Sequence, residues 1–120
     1  MKVIKITTAP AKDLTADRLM TGGKAAAQFM IGPDTAKELT FGITRFGPGG
    51  RTKFHTHTGE QIILGIEGKG IVATEKEEIV VDKDMVVFFP AGEKHWHGAT
   101  KDSSFAHLTI STPHKTDIVE

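Results

Sequence analysis

An all-β fold, a sandwich or a barrel, follows from three observations. Short apolar runs rich in Val, Ile, Phe and Thr recur along the chain. Gly, Pro and Asp turns separate them at intervals of roughly 8–12 residues. No stretch carries the three-and-four spacing of an amphipathic helix. A chain of 120 residues is the size of one domain with a real core. Within it the pattern gives an N-terminal strand and arm over about 1–35, a barrel over about 36–112 and a polar tail over 113–120.

Taken in order, residues 1–8 alternate in part, with Val3, Ile4 and Ile6 apolar, and read as a short strand. Residues 9–23 read as irregular, with a helical turn after Asp13. Residues 24–31 have helix propensity, but their length and Gly-Pro-Asp exit favour a strand. Residues 39–46 form the next strand. Leu39, Phe41 and Ile43 share one face; Thr40, Gly42, Thr44 and Phe46 share the other. Gly47-Pro48-Gly49-Gly50 is a tight turn, residues 53–57 are a strand, and Thr58-Gly59 is a bend. Residues 61–66 are apolar on both faces, as in a strand covered on both sides. The glycines of residues 65–70 read as a turn needing positive φ. Residues 71–74 and 79–81 flank an exposed hairpin tip. Residues 85–89 are a continuous apolar strand ended by Pro90-Ala91-Gly92. Residues 95–99 and 105–111 are the last strands, and the tail from Pro113 is expected to be loosely held.

Composition removes several function classes. Lys plus Arg and Asp plus Glu are 15 each, so the formal charge is zero. That argues against a nucleic-acid or membrane-surface partner. There is no cysteine, so any metal must be held by nitrogen and oxygen. No apolar run has transmembrane length and no signal-peptide core opens the chain, so a cytoplasmic location is expected.

The stretch with chemistry runs GGRTKFHTHTGEQIILGIEGKG from Gly49 to Gly70. His55 and His57 sit two apart and so share a strand face. A second pair, His95 and His97, follows a Pro-x-Gly turn. Three imidazoles with one oxygen make a common shell for a first-row metal. Glu60 and Gln61 are adjacent and face opposite ways in a regular strand. His97 reads as a further ligand, a general base or a packed residue; as a base its reference pKa suits neutral pH. His107, Thr109 and Ser111 share a face of the last strand, which meets either solvent or the barrel interior. In the second case Gly42 and Thr44 line the opposite wall and leave room for a substrate.

These motifs resemble the cupin superfamily. Its first motif runs Gly, five residues, His-x-His, three or four residues, Glu, six residues, Gly. Gly49, His55 and His57 match it; Gln61 stands at the glutamate position, and Gly68 closes the motif. Of the second motif, Pro90-Ala91-Gly92 and His95 are present, with Ala99 at the asparagine position. The resemblance implies a single-domain double-sheet jelly-roll barrel. More narrowly, HTHTGEQ and FFPAGEKHWHGA resemble the small manganese-dependent cupin hydroxynitrile lyases and their uncharacterised relatives. That resemblance implies a metal shell of His55, His57, Gln61 and His95, with His97 and His107 beside it. A neutral glutamine leaves the site charge of a divalent ion at +2, where a carboxylate would leave +1.

The resulting expectation is a mononuclear metal cupin acting on a small polar substrate. Manganese is favoured, with iron, nickel or zinc as alternatives. His97 or His107 would move a proton, and Gly42, Thr44, Thr109 and Ser111 would contact the substrate. The sharpest version is a cyanohydrin-type carbon–carbon lyase. The rivals are an iron-dependent dioxygenase and a non-catalytic small-ligand module. Small cupins pair, so a homodimer or a higher homo-oligomer is expected, with residues 1–8 a candidate for strand exchange.

Overall fold

One long strand organises the barrel. The computed structural model describes the whole chain, Met1–Glu120. Its strands are β1 (Lys12–Asp13), β2 (Met20–Thr21), β3 (Ala25–Ile31), β4 (Thr40–Phe46), β5 (Arg51–Thr52) and β6 (His55–His57). They continue with β7 (Gln61–Thr74), β8 (Glu78–Asp82), β9 (Val86–Phe89), β10 (His95–Ala99), β11 (Phe105–Ser111) and β12 (Thr116–Ile118). Strand β7 belongs to two sheets. Its first half pairs with β11 and β9, and its second half with β10 and β8. The first sheet runs β1-β3-β4-β11-β7, with β9 on the far edge of β7; the second carries β10, β5, β2, β8 and β6, with β12 beside β6. The all-β, single-domain jelly-roll expectation holds.

The glycines of residues 65–70 therefore do not make a turn. They let one strand bend from sheet to sheet without breaking. The ladder shifts register between Ala106 and His107, a bulge that increases local twist. Gly68 takes φ +71, and a Cβ there would lie 1.8 Å from the Ser104 carbonyl oxygen. A Cβ on Gly70 would meet the Phe105 ring at 2.5 Å. By contrast, Gly47-Pro48-Gly49-Gly50 forms the expected turn. Gly50 N–H donates to Gly47 O at 2.9 Å, and Gly49 has φ +76 at the position a type II turn reserves for glycine.

Between the sheets lies an apolar core that includes Phe46, Ile63, Val72, Val81, Phe89 and Phe105. The opposite face of the first sheet is not covered. Ile62 is 38% exposed, Phe88 52% and Ile110 39%, and their register places them in one row. Residues 61–66 are thus apolar on both faces without being covered on both, because no second layer packs outside β7.

Both chain ends differ from expectation. Residues 1–8 hold no strand, only a 3-10 turn over Ile6–Thr8. Val3 is exposed, so its partial alternation matches no apolar surface. The arm is instead tied down by a side chain. Gln28 Nε2 donates to the carbonyls of Ile6 at 2.8 Å and Ala9 at 3.0 Å. This removes the basis for exchanging residues 1–8 as a strand. Residues 9–23 contribute the short β1 and β2, joined by turns at Leu14 and Asp17 rather than a helix. The tail is not loose: β12 pairs antiparallel with β6. No helix is long and apolar enough to cross a membrane.

The bend at Gly68 gives a direct test. Gly92 has φ +82 with no atom near its would-be Cβ. Gly92→Ala is expected to cost about 1 kcal/mol, the strain of left-handed backbone alone. Gly68→Ala adds a clash with backbone and is expected to cost more than about 2 kcal/mol. Urea midpoints at equal m-values measure both.

Candidate metal centre

Strand β6 lies between β10 and β12 and turns both its histidines inward. His55 stands opposite His95 in the ladder, which brings their ring centroids to 4.4 Å. His57, two residues along, lies 4.7 Å from His55 and 5.4 Å from His95. His97, two beyond His95, lies 5.7 Å from His55. One ring nitrogen each from His55, His95 and His97 falls within 4.8 Å of the other two. Gln61 opens β7 and is buried, whereas Glu60 is exposed. Of the four residues expected as ligands, His55 and His95 fall in this group with His97, which is not one of the four; His57 packs against both rings outside the group, and Gln61 shares the cavity wall with His55 and His57.

Carbonyl groups set the protonation pattern of these rings. His55 Nδ1 lies 2.7 Å from Lys53 O, and His95 Nδ1 lies 2.8 Å from Glu93 O. A carbonyl only accepts, so each Nδ1 carries the proton and each Nε2 keeps a bare lone pair. Those Nε2 atoms, with Gln61 Oε1, are buried and have no hydrogen-bond partner. Orphaned buried acceptors are rare in folded proteins. Three acceptors on converging side chains fit a divalent cation.

The same logic assigns the inner pair. His107 Nδ1 lies 3.3 Å from Leu108 O and 3.1 Å from Thr109 Oγ1, so it is protonated. Its Nε2 must then accept from His97 Nδ1, 3.1 Å away. His97 is left with a bare Nε2. Thr52 holds the His97 backbone in place, accepting from its N–H at 3.1 Å and donating to its carbonyl at 3.3 Å.

Burial keeps these rings neutral. Desolvation is the first cause in every case. It lowers His55 to about 4, His57 to about 3 and His107 to about 4. His95 is lowered in the same way. His97 falls well below 6.5, by burial first and then by the neighbouring imidazoles. Neutral imidazole is the form that binds a metal.

A cavity of about 230 Å³ opens beside the cluster. His55, His57, Gln61 and His97 form one side, and Gly42, Thr44, Thr109 and Ser111 also line it. The polar row of β11 therefore faces the barrel interior. His107 lies behind His97 and is fully buried. Gly42 is a glycine for a reason other than substrate room: a Cβ there would lie 2.7 Å from Gln28 O. The Thr40 and Ser111 hydroxyls hydrogen-bond to each other. Leu14, Leu19, Met20, Phe29 and Phe41 supply an apolar wall, and no Lys, Arg, Asp or Glu lines the cavity. His114 and Thr116 line it too. Nothing in the sequence singles out those two, because both lie in a polar tail outside the motifs.

The family model for the cupin domain matches residues 42–111, which carry the site. The chain belongs to the cupin family. Over 79 residues, 65% of this cupin, it is 38% identical to an (R)-mandelonitrile lyase from Granulicella tundricola, spanning 60% of that protein. It is 30% identical over 59 residues, 49% of the chain, to a dimethylsulfoniopropionate lyase from Ruegeria pomeroyi, spanning 39% of that protein. The cupin thus spans less than two thirds of either curated relative. A cupin-like protein from Thermotoga maritima superposes with a TM-score of 0.80 at 27% identity, covering 86% of this chain and 80% of that one.

The depressed imidazole pKa values predict how stability depends on pH. Below its ordinary value of 6.5, an unfolded histidine binds a proton that the folded His55 and His107 refuse until about pH 4. The unfolded chain holds more protons in that window, so acid favours it. Metal-stripped protein should keep a constant Tm above about pH 7 and lose stability progressively from pH 6.5 to pH 4. Thermal melts in chelator across this range measure the loss.

Proposed function

We propose that this cupin is a metal-dependent lyase that cleaves a small neutral α-hydroxynitrile. His55, His57, Gln61 and His95 hold one divalent ion, with manganese favoured. The observation that carries the reading is the set of partnerless buried acceptors on His55, His95 and Gln61 beside an uncharged cavity. The similarity to the mandelonitrile lyase points the same way. A sulfonio-propionate also carries a sulfonium cation, and this wall offers no carboxylate to meet it.

The ion, when bound, supplies Lewis-acid polarisation of a substrate oxygen. The remaining work falls to the chain. The apolar wall takes the substituent of the hydroxynitrile carbon, and Thr44 and Thr109 bracket its polar end. His97 Nε2 removes the hydroxyl proton. The freed electron pair closes the carbon–oxygen double bond as the carbon–cyanide bond breaks and cyanide departs with the bonding pair. His97 then returns the proton to cyanide, so the products are an aldehyde and hydrogen cyanide. His107 keeps His97 in the tautomer this transfer needs by accepting from its Nδ1.

Metal analysis of untagged protein, beside a His55→Ala/His95→Ala variant, is the first test. One equivalent of metal is expected in the wild type and none in the variant. Mandelonitrile cleavage, read as benzaldehyde absorbance, should fall by about 100-fold or more in His97→Phe. A protein that takes up no manganese, iron, nickel or zinc, or that turns over nothing when loaded, would sink the reading.

The proposal includes a homodimer. The outer row of Ile62, Phe88 and Ile110 joins Val86, 66% exposed, in one apolar sheet face. Exposed faces of this kind mark interaction sites, and an apolar sheet face can pack on a second copy of itself about a two-fold axis. Sedimentation at micromolar concentration should show a dimer, and Phe88→Asp should shift it to monomer. A monomeric wild type would remove this part.

A further inference from the structure

The ligand strand owes its position to the end of the chain. Strand β6 has three residues and pairs on one edge with β10 through the single register pair His95–His55. Its other edge carries three pairs with β12: Thr116–His57, Asp117–Thr56 and Ile118–His55. The contacts continue on both sides of that ladder. Toward Gln61, Glu60 N–H donates to Thr112 Oγ1 at 3.2 Å, and Lys115 N–H donates to Thr58 Oγ1 at 2.9 Å. A Cβ on Gly59 would lie 2.2 Å from Thr112 Oγ1, so the loop between His57 and Gln61 is pressed against the tail. Toward Arg51, Val119 N–H donates to Phe54 O at 3.0 Å, and Phe54 N–H donates to Glu120 Oε2 at 2.6 Å.

Within this frame His57 is a special case. His55 and His95 each anchor Nδ1 on the carbonyl two residues earlier. The residue two before His57 is His55, inside the strand. His57 Nδ1 meets a side chain instead, Thr116 Oγ1 at 2.9 Å, and its ring lies 4.2 Å from that of His114. We propose that residues 112–120 are the positioning element of the metal centre, with Thr116 fixing the His57 ring so that Nε2 faces the ion. This rests on the assignment of His57 as a ligand made above. Thr116 is a positioning residue: it accepts from Nδ1–H and so selects the metal-binding tautomer, the task that the backbone performs for His55 and His95.

The test compares Thr116→Val and Thr116→Ser in the full chain. Valine keeps the β-branched shape and the strand but removes the hydroxyl; serine restores it. Manganese is titrated into stripped protein by calorimetry, and the bound ion is followed by its electron paramagnetic resonance line shape. Thr116→Val is expected to weaken manganese binding by about 10- to 100-fold and broaden the spectrum. Thr116→Ser should bind like the wild type, and the Tm of both stripped variants should match it. If Thr116→Val binds manganese as the wild type does while His57→Ala does not, the positioning role is overturned and the ligand assignment stands. If His57→Ala binds like the wild type, the ligand assignment fails and the role of Thr116 with it.

Discussion

Desolvation of neutral imidazole is the constraint on which the site depends. A ring buried without water must satisfy its one N–H inside the protein, and the ring's bare nitrogen must find a donor, as His107 Nε2 does in His97 Nδ1, or a cation, or else remain unpaired. The chain meets the first need by interrupting its strands. Strands β6 and β10 both begin at their first histidine, just after an irregular pair, Lys53-Phe54 and Glu93-Lys94. The interruption leaves the carbonyls of Lys53 and Glu93 outside the ladder and free to accept from Nδ1. A regular strand across residues 53–57 would have committed Lys53 to the sheet. The broken strands therefore belong to the site's chemistry.

The proposed neutral ligand set has a further effect. A carboxylate at position 61 would partly offset the charge of a divalent ion, whereas Gln61 leaves it whole. In the proposed site that full charge would face a cavity whose wall holds no Lys, Arg, Asp or Glu side chain. Charge that develops on a substrate oxygen therefore meets one strong centre in an apolar surround. Such a site favours reactions in which a neutral substrate becomes anionic at a single atom.

Much of this was legible in the sequence because it is local. The His-x-His pair, the Pro-x-Gly turn and the alternation of β11 depend on residues close along the chain. The adjacency of Glu60 and Gln61 separated them correctly by face, since Glu60 is exposed and Gln61 buried. What escaped depends on distant partners. Gly65, Gly68 and Gly70 read as a turn because the sequence does not show that Ser104 and Phe105 press on them. Residues 1–8 alternate like a strand, but Gln28 captures their carbonyls. The tail is polar and carries turn residues, so its pairing with β6 has no sequence signature, and with it His114 and Thr116 stay hidden.

That pairing sets an order of events during synthesis. His57 and Thr116 are 59 positions apart. A growing chain carries every proposed ligand, His95 included, well before β12 exists to close the edge of β6. The β7–β8 hairpin can form early, since its contacts are local. Strand β6, which carries the proposed ligands His55 and His57, cannot be held on both edges until Thr116–Ile118 has left the ribosome. Full-strength metal capture at the proposed site therefore waits for the synthesis of β12.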